Sequence, residues 1–286
     1  MEEGSFRTIK KSKIFSKHFL FLSLLHNYIC VRNLFFEVKQ LFISMLRLLY
    51  VFISGGEECA VCGALVFIRP VCKACMKKHF SVQRIMEKER CECCGRELVS
   101  MKGKCMVCRE TPVLKSTDCV IPLFSYRLWN RELMFRWKMQ EERNFSPLFA
   151  RLLCETLRKT GNEVIVPVPP RKGKIRKNGW DQIEELCTFL EKRYGFRVLR
   201  VLERNTSGQQ KKLSRTQRLE SIKSAYSMCS GQVLERILKP YGGCLPDSVC
   251  IIDDVCTTGS TLESCAEILK KEGIRTVNAV TLFTVD

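Results

Sequence analysis

Val249-Cys250-Ile251-Ile252-Asp253-Asp254-Val255-Cys256-Thr257-Thr258-Gly259-Ser260-Thr261 is the most telling stretch of this chain. Four apolar residues, Val249 to Ile252, have the pattern of a strand buried on both faces, predicted over Ser248–Ile252. Two carboxylates, Asp253 and Asp254, follow at its carboxyl end. A Thr-Thr-Gly-Ser-Thr turn then opens into a helix predicted over Thr261–Lys271 and stopped by Gly273. Open α/β sheets bind ligands outside the carboxyl ends of their strands. A turn that offers backbone N–H groups and hydroxyls at a helix N-terminus suits a phosphate. Adjacent acids can accept from neighbouring hydroxyls, as on a ribose, so the combination describes a sugar phosphate. Helix capping alone would need one such residue, and six polar or small residues in register exceed that need.

Outward from this unit, strands alternate with helices. A strand is expected at Val120–Tyr126, on a sheet edge, and helix begins in Arg131–Lys138. Leu148, Leu152, Leu153 and Leu157 have helical spacing within Leu148–Lys159. Val164–Val168 reads as a buried strand running into Pro167-Val168-Pro169-Pro170. A helix over Asp181–Tyr194 puts Ile183, Leu186, Cys187 and Leu190 on one face. Phe196–Leu202 reads as one further strand, followed by a basic polar stretch to Arg218, a helix through Ala225, and a last strand at Thr276–Leu282. The order implies an α/β domain with a mainly parallel sheet.

Cysteine is the compositional outlier, 18 of 286 residues. Eight of them form four CxxC pairs: Cys59/Cys62, Cys72/Cys75, Cys91/Cys94 and Cys105/Cys108. The spacing is one motif, CxxC-x(9–10)-CxxC, written twice. A CxxC turn points two thiolates at a common centre and a second pair completes the tetrahedron, which predicts two four-cysteine zinc ribbons. A disulfide framework would need an oxidising compartment. The charged N-terminus, with no A-x-A cleavage site, argues against a signal peptide. Cys93 competes with Cys94, but the spacing favours Cys91 with Cys94. Cys30, Cys119, Cys154, Cys187, Cys229, Cys244, Cys250, Cys256 and Cys265 stand alone, most of them where a small buried apolar residue would serve.

The formal charge is +18, and two tetrathiolate zinc sites would lower it by about four units. The excess calls for an anionic partner. It is densest in two segments: Arg171, Lys172, Lys174, Arg176 and Lys177, then Arg204, Lys211, Lys212, Arg215 and Arg218, the second without an acid in between. A solvated charged surface is the bland alternative. No apolar run reaches the ~18 residues of a membrane span, so no stable span is expected. Phe19–Ile29 is apolar but short, and Leu41–Ile53 is interrupted by Arg47; these leave open a signal anchor or membrane contact. Residues 1–44 are read as an extension of uncertain status, with Met45 an alternative start; 45–112 are read as the double zinc ribbon and 113–286 as the α/β domain.

Residues 249–261 resemble the 5-phosphoribosyl-1-pyrophosphate (PRPP) signature of type I phosphoribosyltransferases. That resemblance implies that Asp253 and Asp254 hold the ribose hydroxyls while Thr257, Thr258, Gly259, Ser260 and Thr261 grip the 5-phosphate. A double cysteine ribbon, then Val166-Pro167-Val168-Pro169, then Gly179-Trp180-Asp181-Gln182, is similar to the ComF (competence protein F) family over roughly residues 45–286. Residues Arg204 to Tyr226 resemble that family's third block, with Gln209 or Gln210, Leu213, Arg218 and Ala225-Tyr226 in place. Trp180 and Asp181 replace Phe and Asn, Ser221 stands where Asn is usual, and the Gln block is one residue longer. The resemblance makes the first basic segment a pyrophosphate loop and the second a lid, with magnesium accompanying PRPP. It also implies a cytoplasmic role in natural transformation, with single-stranded DNA and DNA-uptake proteins such as a helicase as partners. The cations could then meet DNA phosphates, with Trp180 and Tyr194 as stacking faces. Two functions stay open: an active phosphoribosyltransferase, and a DNA-uptake protein that keeps the PRPP pocket. A purely structural zinc protein would leave the phosphate loop unexplained.

Overall fold

The computed structural model describes residues 36–67, 69–98, 103–127, 129–171, 173–175, 179–205 and 225–285. Cys30, the Phe19–Ile29 run and the helix expected before Ala225 lie outside them. The chain divides into two units, Met1–Gly56 and Glu57–Asp286. The described part of the first is a helix, α1, over residues 36–53, with Leu41, Phe42, Tyr50, Phe52 and Ile53 among its exposed side chains. No helix among the described residues is long and apolar enough to cross a membrane.

The second unit begins with a two-residue antiparallel pair, β1 (Glu57–Glu58) with β2 (Leu65–Val66), and is built on a five-stranded, all-parallel sheet. Its strands are β3 (Cys119–Ser125), β4 (Val164–Pro167), β5 (Arg197–Val198), β8 (Ser248–Cys256) and β9 (Thr276–Thr284), in the order β3-β9-β8-β4-β5. The mixed α/β class and the edge position of β3 follow the sequence expectation. β8 lies centrally because it is apolar on both faces. Val249 and Ile251 pack with Leu262, Cys265 and Leu269 of helix α9 (Ser260–Lys271), and Cys250 and Ile252 are fully buried as well. Helices α6 (Ser146–Lys159) and α7 (Gln182–Lys192) pack against each other and against the sheet. They join helix α5 (Trp129–Lys138) through the Trp137 indole, which donates to the Ser146 hydroxyl at 2.9 Å; that hydroxyl in turn donates to Glu185.

Two sequence expectations change. Strand β8 continues past Ile252 to Cys256, because β9 runs alongside it to Thr284. β4 pairs with β8 only as far as Pro167 opposite Ile252. Asp253 and Asp254 therefore lie on a strand supported on one side only. Phe196–Leu202 is not one strand either. β5 pairs with β4, whereas β6 (Leu202–Arg204) leaves the sheet to pair antiparallel with β7 (Tyr226–Met228). The α8 helix (Gly231–Leu238) follows β7.

The cysteine-rich segment packs on the edge strand β3. Helix α2 (Lys73–His79) is followed by Phe80, whose ring lies 5.5 Å from that of Phe124. Helix α3 (Val82–Met86) leads to Arg90, which donates to the Ile85, Gly95 and Pro122 carbonyls at 2.8, 2.9 and 2.7 Å.

Candidate functional site

A cavity of about 1080 Å³ opens at the carboxyl ends of β4 and β8. Asp253, Asp254, Thr257 and Thr261 line it from the β8–α9 unit, Arg171 and Lys174 from the loop after β4, and Arg204 and Tyr226 from the β6–β7 pair. The prolines after β4 position the first loop: Val168 N–H still reaches the Ile252 carbonyl at 3.0 Å, and Pro169 and Pro170 carry no N–H with which to extend the pairing. Of the basic residues expected here, Arg171, Lys174 and Arg204 are thus brought together. Lys172, Arg176, Lys177, Lys211, Lys212, Arg215 and Arg218 lie outside the described residues.

The two acids differ in environment. Burial, and then the negative charge of Asp254, push the Asp253 carboxyl up to about 8, against the pull of the Asp254 N–H and Lys138. That N–H donates to Asp253 Oδ1 at 2.8 Å. Asp254 forms an ion pair with Lys138 at the end of α5. Lys138 was not singled out in the sequence, and nothing local marks it; its ion pair with Asp254 joins residues far apart in the chain. Lys174 pairs with Asp181 at 2.6 Å and also donates to Gln182. Asp181 caps α7 with its other oxygen, accepting from Ile183 and Glu184 N–H at 3.0 and 3.2 Å. The Gly-Trp-Asp-Gln segment therefore tethers the basic loop.

Gly259 adopts φ +82° at the start of α9, and a Cβ there would sit 3.0 Å from the Leu114 side chain. The Ser260 N–H donates to Thr258 Oγ1 at 3.3 Å, and the two hydroxyls are 2.8 Å apart. Thr257 and Thr258 are exposed, so their hydroxyls are open to a ligand. Tyr226 lies beneath Arg204, whose guanidinium is 5.4 Å from the ring centroid, as their β6–β7 register requires. Trp180 is a correction: it is buried with Arg143 over its ring and offers no open stacking face. Tyr194 lines a separate cavity of about 470 Å³ with Arg158, Phe196 and Arg197.

The eight paired cysteines form two groups of four, Cys59/Cys62/Cys72/Cys75 and Cys91/Cys94/Cys105/Cys108, with the ligand atoms of each group within 4.8 Å of one another. Cys93 belongs to neither. Both groups have the same backbone plan. Cys59 N–H bonds the Ala64 carbonyl and Gly63 N–H the Cys59 carbonyl; Cys91 with Arg96 and Gly95 repeats this within 0.1 Å. Backbone N–H groups of Cys72 and Cys105 each point at the first sulfur of their group at 3.3 Å. The second pair of each group sits at the start of a short helix, α2 or α4 (Met106–Glu110). Burial would raise the Cys59 and Cys91 thiols, but the surrounding N–H donors outweigh it and bring both down to about 6. Four sulfurs of which one ionises readily form a donor set that fits structural zinc. Among the lone cysteines, Cys154, Cys187, Cys250, Cys256 and Cys265 are buried as expected, whereas Cys119 and Cys244 are exposed.

No protein-family model matches the chain. It is 24% identical over 209 residues to Competence protein ComFC of Streptococcus pneumoniae (strain ATCC BAA-255 / R6), covering 73% of this chain and 86% of that relative. It is 26% identical over 217 residues to Competence protein F of Haemophilus influenzae (strain ATCC 51907 / DSM 11121 / KW20 / Rd), covering 72% and 87%.

Proposed function

We propose, from the ComF family membership that these two competence-protein relatives support, that this chain is a DNA-uptake protein whose phosphoribosyltransferase-like domain (113–286) binds PRPP and whose residues 45–112 are a double zinc ribbon. The observation that carries this reading is the convergence of Asp253, Asp254, Thr257 and Thr261 with Lys138, Arg171, Lys174 and Arg204 on one cavity. Asp253, whose carboxyl burial and Asp254 push up, faces one ribose hydroxyl, while Asp254 accepts from the other. The hydroxyls and N–H groups of residues 257–261 take the 5-phosphate at the start of α9. The cations face the pyrophosphate. Among the described residues, only the two cysteine groups bring three or more His, Cys, Asp or Glu ligands together. Magnesium would therefore arrive on the pyrophosphate oxygens, where it neutralises charge.

Calorimetric titration with PRPP and magnesium tests this. Wild type should give heat and Asp253→Ala/Asp254→Ala none; a silent wild type removes the pocket reading. The same cavity favours a second reading, active transfer, because cations beside a leaving pyrophosphate stabilise its departure. Pyrophosphate release from PRPP in the presence of a nucleobase panel distinguishes catalysis from binding alone. On the DNA-uptake reading the protein works in the cytoplasm, binds single-stranded DNA and meets uptake proteins such as a helicase. Oligothymidylate binding should then weaken steeply with salt, and salt-insensitive binding would count against phosphate contacts.

A further inference from the structure

The second cysteine group and the phosphate loop share a wall. Cys94 and Cys108 line a cavity of about 40 Å³ together with Leu114, Thr257 and Thr258. The linings of the two cavities that include Thr257 contain no cysteine of the first group. From Cys108 the chain runs directly to Leu114, whose side chain occupies the space that a Cβ on Gly259 would enter. Two residues past Leu114, the Ser116 N–H donates at 2.7 Å to buried Glu263 in the first turn of α9, which also accepts from the Thr117 N–H and hydroxyl, each at 3.2 Å. On the other side of the group, Arg96 donates to the Val285 carbonyl at 2.9 Å. The Val285 N–H in turn bonds the carbonyl of Cys256, the residue that leads into the loop. The loop is therefore met from both sides by residues that flank the second cysteine group in the chain. A small domain of this kind is organised by its metal rather than by a core of its own.

We infer that Leu114 and Glu263 are positioning residues that make the second cysteine group, once filled with metal, the support of the phosphate loop, while the first group has no such role. This rests on reading residues 257–261 as a phosphate loop. It assigns the two repeats different work despite their matching backbone plans.

The test compares full-length wild type with Glu263→Gln, Leu114→Ala, Cys105→Ser and Cys72→Ser. Amide hydrogen exchange, zinc content and titration with PRPP and magnesium are measured on each. Glu263→Gln retains one acceptor but turns an amide N–H₂ toward the Thr117 donors. It should keep the zinc content of wild type, exchange faster at residues 257–261 with β4 and β9 unchanged, and bind PRPP about tenfold more weakly. Leu114→Ala should do the same. Cys105→Ser should lose zinc from the second group and loosen the loop likewise, whereas Cys72→Ser should lose zinc from the first group and leave the loop as in wild type. Unchanged loop exchange in Glu263→Gln and Leu114→Ala, or equal loosening by Cys72→Ser, would overturn the inference. If Cys105→Ser fails to fold, the two variants that keep their zinc decide the matter. A wild type that gives no heat with PRPP while loop exchange moves as described would sink the PRPP reading and leave the support intact.

Discussion

Asp253 bears the largest electrostatic strain in the cavity. Its carboxyl, ordinarily near 4, is pushed up to about 8 by burial and by Asp254. Below pH 4 the group is protonated whether the chain is folded or not. Between about 4 and 8 the unfolded chain releases a proton that the folded chain keeps, so stability falls across that window and is flat above it. Asp253→Asn removes the penalty. Its thermal midpoint should match wild type near pH 4 and exceed it increasingly up to pH 8, by roughly 2–4 °C for each kcal/mol relieved. A constant offset from pH 4 to 8 would show that the carboxyl is not the cause. Gly259 makes the complementary case through backbone shape. An alanine there must hold φ +82° and push Leu114 aside, which should cost about 1–2 kcal/mol in urea unfolding and, on the proposed function, weaken PRPP binding.

Among the elements, the β8 strand, its loop and α9 were legible because a run of apolar residues, two acids and a turn lie adjacent in the chain. What escaped was non-local. Lys138 ends an ordinary amphipathic helix, and its pairing with Asp254, 116 residues on, leaves no local trace in the sequence. Phe196–Leu202 read as one strand because Phe196, Val198, Leu199, Val201 and Leu202 are apolar, and the last four are buried in the fold. A run broken only by Arg197 and Arg200 does not reveal where a strand changes partners. Trp180 looked available for stacking because a lone tryptophan beside a basic loop carries no mark of burial. The cysteine spacing, by contrast, was sufficient to sort eight sulfurs into the two groups found. Their attachment to β3 was not legible, since it runs through Arg90 to the Pro122 carbonyl. Arg90→Met would leave three carbonyls without their donor. It should cost about 2–4 kcal/mol in chemical denaturation, with the same zinc content as wild type when elemental analysis is made on the folded protein.

Across the whole molecule, the sheet is assembled from both ends of the chain: β3, β4 and β5 precede β6, while β8 and β9 follow β7, yet β9 and β8 lie between β3 and β4. On either side of residues 206–224, β6 and β7 pair antiparallel, and the Asn205 N–H meets the Ala225 carbonyl at 2.8 Å. A specific protease site introduced within 206–224 and cut should therefore give a nicked protein that elutes as one species and separates only in denaturant. Separation without denaturant would mean that the parallel pairing of β8 and β9 with β3 and β4 is too weak to hold. Neither fragment owns a finished sheet: one has the outer strands with a gap between them, the other has the pair that fills it. Expressed as two halves from separate transcripts, the protein becomes a complementation pair, whose reassembly can be coupled to a reporter and read inside a living cell.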